Sequence, residues 1–164
     1  GFYFGKDPTL ALGSAVPFGP SSRQTWSWLV TGGGREIMKD VYRDQGVHAV
    51  PMACTGAQMG GWFRREIRST EDLRGLKFRI AGLGGMVMTR LGVVAQQLAP
   101  GDIYPALERG VIDAAEYIGP YDDEKLGFNR IARFYYYPGW WEYAPSTDMM
   151  FNAREWEALP AHYK

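Results

Sequence analysis

The chain has 164 residues, balances 18 Lys and Arg against 18 Asp and Glu, and gives 15% of its positions to Phe, Trp and Tyr. Balanced, scattered charge gives no footing for a nucleic-acid partner or an anionic membrane surface. The lone cysteine, Cys54, excludes an internal disulfide and a Cys-rich zinc site, and no apolar run reaches the length of a membrane span.

In chain order, Gly1–Val16 reads as an irregular or strand-like opening and Pro17–Pro20 as a turn cluster. Ser21 or Ser22 caps a helix predicted to about Val30, with Trp26, Leu29 and Val30 as its apolar stripe. Gly32–Gly34 interrupts it. A second helix follows over Arg35–Asp44, with Ile37, Met38, Val41 and Tyr42 at helical spacing and Gly46 at its C-terminal cap. Val47–Met52 reads as a buried strand, Trp62–Ile67 as an extended crossing segment, and Ser69–Asp72 as a short helical turn.

The next stretch, Gly75–Met88, organises the rest. Leu76, Phe78 and Ile80 share one face of a strand, and Lys77 and Arg79 share the other. A tight turn through Gly82, Gly84 and Gly85 then leads into a helix ending near Leu91. Val93–Leu98 is a strand, and Asp102 caps a helix over Ile103–Arg109 that Gly110 ends. Val111–Ile118 is a strand containing Glu116, Asp122–Arg133 a helix, Phe134–Tyr137 a strand, Thr147–Asn152 a final strand, and Ala153–Leu159 the start of a helix. Strands alternating with short helices predict an α/β chain with a largely parallel sheet.

Few residues point to catalysis. His48 lies in a strand and His162 at the chain end. The G-x-S-x-G, H-E-x-x-H, C-x-x-C and Walker patterns are absent, and Val87 stands where a dinucleotide loop needs its third glycine. Arg79 is either the solvent face of an edge strand or a planar fork suited to a carboxylate. Glu116, in Ala114–Ile118, either reaches solvent at the strand end or must be paired or bound to a cation. Gln58 reads as a loop amide satisfied by backbone or as a ligand. Trp140 and Trp141 read as core plus cover or as a ligand wall. Asp122, Asp123 and Glu124 read as solvated acids at a helix start.

The segments GAQMGGWFRREI, EDLRGLKFRIAGLGG, GDIYPALERGVIDAAEYIGPYDDEKLGF and YYYPGWWE, with the opening YFGKDPTLALGSAVPFG, cover nearly the whole chain. They resemble the solute-binding subunits of tripartite ATP-independent periplasmic (TRAP) transporters, in the DctP-type, TakP-like branch. The resemblance implies a periplasmic solute-binding fold of two α/β lobes around a ligand cleft. Residues 1–54 would form part of lobe one, 55–145 lobe two, and 146–164 the return to lobe one. Family members are longer, so the chain reads as a fragment with lobe one incomplete.

The same resemblance implies that Arg79 pairs with a substrate carboxylate. Gln58 and Glu116, with Glu142 as a second possible ligand, would hold a Na+ or Ca2+ ion bridging substrate to protein, and no redox cofactor is implied. Tyr117, where the family often has tryptophan, and Trp141 would line the substrate. Oxygen ligands and a 2-oxo or 2-hydroxy carboxylate suit such a hard cation. The expected function is a non-catalytic receptor for a small organic monocarboxylate that delivers it to TRAP membrane permease subunits, with no nucleic-acid partner. Exposed strand edges make a homo-oligomer a further expectation. The rival reading is an α/β lyase or isomerase on a small organic acid, with Glu116 as base.

Overall fold

The computed structural model describes residues 3–13 and 16–164; Gly1 and Phe2, at the head of the expected strand-like opening, and Ser14 and Ala15 lie outside the described residues. The described part of that opening holds a 3-10 helix over Pro8–Gly13. The helices are α1 (Ser22–Thr31) and α2 (Gly34–Arg43), followed by β1 (Val47–Cys54), β2 (Gly61–Phe63), β3 (Lys77–Arg79) and α3 (Gly82–Arg90). Then come β4 (Val94–Gln96), α4 (Pro100–Glu108), β5 (Ala114–Ala115), α5 (Pro120–Lys125), β6 (Phe134–Tyr136), β7 (Ser146–Asn152) and α6 (Ala153–Ala158).

The α1 start is a reciprocal cap: Gln24 N–H donates to the Ser21 side chain, and Ser21 N–H donates to Gln24 Oε1 at 2.8 Å. Leu29 faces inward, but Trp26 and Val30 of the expected stripe are exposed. The covered face is set by α2, whose Met38 and Tyr42 cluster with Leu29 while Trp28 packs against them. Ile37 of α2 is exposed as well.

Next to these helices, β1 and β7 form a two-stranded antiparallel sheet, running from Val47 opposite Asn152 to Cys54 opposite Ser146. Val47 and Ala49 pack toward α2, whereas Val50, Met52 and Met149 stay exposed. The strand expected to be buried is therefore half-open, because helices cover one face only. Asn152 Oδ1 caps α6 by accepting from the Arg154 and Glu155 N–H groups. His48 stacks on Trp156 with centroids 4.0 Å apart, in a structural role.

The second sheet has the order β4-β3-β5-β2-β6. The first three strands are parallel, and β2 runs antiparallel to both β5 and β6, so the sheet is mixed rather than largely parallel. The expected crossing segment thus contributes, through Trp62 and Phe63, an interior strand of the sheet. Alternation sends Phe63, Phe78 and Ala114 into one core, with Leu76, Ile80, Met88, Val93 and Trp141. Trp62 and Ala115 point into the other, with Ile103, Leu107, Ile112 and Phe128. Both faces are closed.

Several element bounds shift for local reasons. Helix α4 begins at Pro100, whose fixed φ suits a first helical position, so Ala99 and not Asp102 occupies the cap. Strand β5 is two residues rather than Val111–Ile118. The helix expected over Asp122–Arg133 stops at Lys125, since Gly127 at φ +80° turns the chain into a 3-10 helix over Phe128–Arg130. Among the described residues, no helix is long and apolar enough to cross a membrane.

Candidate functional site

Arg79 ends β3, the middle strand of the parallel trio, so it is not on an edge. Its residue is 3% exposed, which rules out the solvent-face reading. Glu116 follows β5 directly and is equally buried. Three hydrogen bonds join the two. Glu116 N–H donates to the Arg79 carbonyl at 3.2 Å, and Arg79 Nη1 donates to Glu116 Oε1 at 2.5 Å and to its carbonyl at 2.7 Å. Arg79 Nε reaches the Leu98 carbonyl at 3.3 Å. The site therefore lies at the carboxyl ends of parallel strands, where α/β sheets place ligand crevices.

The surroundings are dry and crowded with charge. Burial pushes the Glu116 carboxyl up to about 8, opposed by the Arg79 guanidinium and reinforced by Glu142 and Asp123. Burial also raises Glu142, against the pull of Arg79. One guanidinium thus sits in the field of two carboxyl groups. Tyr117 presents its ring 5.9 Å from the Arg79 guanidinium carbon and sets its edge against Phe128.

The segment bearing Gln58 runs between the residues after β5 and the loop after β6. Met59 N–H donates to Ile118 O, Gln58 N–H to Tyr143 O, and Gly139 N–H to Gln58 O. Gln58 is 4% exposed, and its Oε1 has no hydrogen-bond partner among the described residues, so their backbone does not satisfy this amide oxygen. Glu116 Oε2 is likewise buried and unpartnered. Orphan buried oxygens are costly unless something binds them. An amide oxygen and two carboxyl groups are the donor types a hard cation takes. Among the described residues, no group of three or more His, Cys, Asp or Glu is placed to hold a metal, so a cation here would rest on the mixed set.

Trp141 sits in the core, its ring edge-on to Phe78 at 5.8 Å, with Trp140 partly covering it. Its indole N–H is buried and has no hydrogen-bond partner among the described residues, and the residue borders a small hollow shared with Ile80, Gly82 and Glu142. The glycines beside it differ from expectation, because α3 already begins at Gly82. A Cβ on Gly84 would lie 2.7 Å from Trp141 Cβ, and one on Gly85 3.0 Å from the Ile80 carbonyl. They let α3 press against the strand end and the Trp141 loop.

One residue of the site region departs from its sequence reading. Asp122 and Glu124 are exposed as expected, but Asp123 is 1% exposed. It accepts from Ile118 N–H at 3.1 Å, Trp62 Nε1 at 2.9 Å and the Tyr135 hydroxyl at 3.2 Å. A backbone donor just before α5 and two side-chain donors from β2 and β6 replace the solvent that helix-start acids usually meet. Only the polar tips of Trp62 and Tyr135 hint at it in the sequence.

The model of the bacterial extracellular solute-binding proteins, family 7 (DctP), matches residues 2–164. A monocarboxylate 2-oxoacid-binding periplasmic protein of Nostoc sp. is 55% identical over 163 residues, covering 99% of this chain and 45% of that protein. A TRAP transporter solute-binding protein of Bordetella bronchiseptica is 52% identical with a TM-score of 0.94, over 98% of this chain and 48% of its own; it is a mixed-occupancy dimer with copurified calcium and picolinate in one site and the other apo. A TRAP periplasmic solute-binding protein of Pseudoalteromonas atlantica, with bound sodium and pyruvate, is 42% identical with a TM-score of 0.93, over 98% of this chain and 49% of its own. The chain spans about half the length of these relatives.

Proposed function

The chain belongs to family 7 of the bacterial extracellular solute-binding proteins, the DctP-type receptors of TRAP transporters, and from that premise we propose that it forms the ligand-gripping part of a periplasmic receptor for a small 2-oxo monocarboxylate bound with a hard cation. The observation that carries the reading is a buried guanidinium, Arg79, paired with Glu116, whose Oε2, like Gln58 Oε1, is buried without a hydrogen-bond partner among the described residues. Arg79 supplies a planar, permanently charged fork that matches a carboxylate. Gln58, Glu116 and Glu142 would hold the cation, and Tyr117 and Trp141 would border the acid.

Charge favours joint binding. One guanidinium already faces two carboxyl groups whose charged forms burial disfavours, and a monocarboxylate would add further negative charge in a water-poor site. A sodium or calcium ion offsets that excess and is chelated by a carboxylate together with a donor on the adjacent carbon. Pyruvate and picolinate, bound by relatives, share that pattern. The family and its relatives are solute-binding proteins, so Glu116 is read as a binding group and not as the base of a lyase or isomerase. Residues 55–145 would be one lobe, with 1–54 and 146–164 part of the other, and release would be to TRAP permease subunits in the membrane.

The test is calorimetric titration of pyruvate into the full polypeptide with calcium present and after chelation. Binding is expected only with the cation. Arg79→Lys keeps the charge but loses the fork, and should weaken binding roughly tenfold or more, the worth of one charge-assisted hydrogen bond at roughly 1.5–3 kcal/mol. Affinity unchanged by Arg79→Lys would overturn the assignment of Arg79, and affinity indifferent to chelation would overturn the cation.

A further inference from the structure

Three segments carry the proposed ligand oxygens, and two of them, those of Glu116 and Gln58, meet at the backbone of Ile118. Ile118 lies two residues after Glu116, and its carbonyl accepts the N–H of Met59, the neighbour of Gln58. The N–H of the same residue donates to Asp123 Oδ1 at 3.1 Å. Asp123 Oδ2 takes Trp62 Nε1 and the Tyr135 hydroxyl, whose rings stack with centroids 3.9 Å apart on neighbouring strands β2 and β6. The backbone N–H of Asp123 donates to Gly119 O, the first i→i−4 bond of α5. A buried carboxylate is suited to this spot because it is acceptor-only at both oxygens and meets three donors.

We infer that Asp123 is a positioning residue for the cation and acid site: it fixes the N–H side of Ile118, the residue whose carbonyl bonds the Gln58 segment to the Glu116 segment. It touches neither of those side chains by hydrogen bond and acts through Ile118. The inference rests on the receptor reading above and adds to it the group that orients its ligands. Outer groups of this kind tune ion affinity by fixing the geometry of the groups that coordinate.

Asp123→Asn tests it on the full polypeptide. The amide keeps the volume and one acceptor oxygen, but turns an N–H2 toward either Ile118 N–H or the Trp62 and Tyr135 donors. Without cation or acid, amide hydrogen exchange at Ile118 and Met59 should accelerate. With pyruvate fixed, the calcium concentration at half-saturation should rise roughly tenfold to hundredfold, while pyruvate affinity at saturating calcium stays within about twofold of wild type. The variant Tyr135→Phe keeps the carboxylate and both rings while removing one donor from Oδ2, and should move the calcium half-point the same way by less.

A lowered melting temperature with unchanged amide exchange and unchanged calcium half-point, in whichever of the two variants folds, makes Asp123 merely structural and overturns the inference. Wild-type protein that binds no pyruvate at any calcium concentration overturns the receptor reading and this inference with it. Failure confined to the variants overturns this inference alone.

Discussion

The two sheets solve the same problem differently. The five-stranded sheet is closed on both faces, and Leu76, Phe78, Ile103, Leu107, Ile112 and Phe128 are wholly buried around it. That enclosure lets it hold Arg79, Glu116, Gln58 and Asp123 almost without solvent. The β1–β7 sheet has the longer continuous pairing, yet helices cover only one face and Val50 and Met149 remain exposed opposite each other. Its internal polar contact, from the Tyr42 hydroxyl to Asp148 Oδ2 at 2.8 Å, is only part-buried. Strand pairing alone does not exclude water. Packing on both faces does, and only there do charged groups acquire the strong fields and unsatisfied oxygens that make a binding site.

The contrast is broken most directly by removing packing. Phe78→Ala, with Phe63 and Trp141 against its ring, is expected to cost roughly 3–5 kcal/mol in urea unfolding, whereas Met149→Ala in the open sheet should cost roughly 0.5 kcal/mol or less. Comparable losses would mean the two sheets are equally enclosed.

The second effect is electrostatic. An ordinary glutamate loses its proton near 4.5, but native Glu116 holds it up to about 8 because of burial. Between those values the native chain binds more protons than the unfolded one, so stability falls as pH rises through that window. Glu142 is raised too and adds with the same sign. The urea midpoint should therefore decline from about pH 4.5 to about pH 8, and Glu116→Gln should flatten the decline. A midpoint that rises over the same range would show that Arg79 outweighs the burial of its partner.

The smallest effect is reserved for the open sheet. Tyr42→Phe removes the hydroxyl that donates to Asp148 and should cost about 1 kcal/mol, a net value for one hydrogen bond in a part-buried setting. A loss of several kcal/mol would place this contact on the same footing as the buried network around Arg79.

Local order was readable where it depends on neighbours in the chain. The cap at Ser21, the Ser69–Asp72 turn, the inward set Leu76, Phe78 and Ile80, and the acidic start of α5 follow from spacing of side chains and glycines. The long ordered motifs also identified the family. Misreadings arose where distant elements choose the outcome. Trp26 and Val30 look like a core stripe until α2 covers Leu29 and Trp28 instead. Asp123 looks like a solvated cap until Trp62, Tyr135 and Ile118 converge on it.

Arg79 shows the division most clearly. Its alternation with Phe78 and Ile80 set it on the opposite face of the strand, and that much is a property of the period of two. Whether that face meets water or a buried carboxylate was decided by strand order, which places β3 between β4 and β5 and brings Glu116 alongside. The sequence by itself determined the local elements, the family and the types of side chain available. Tertiary structure decided which of them are dry and which meet, because the pairing of Arg79 with Glu116, 37 residues apart, and of Trp62 with Asp123, 61 apart, is encoded in no local pattern.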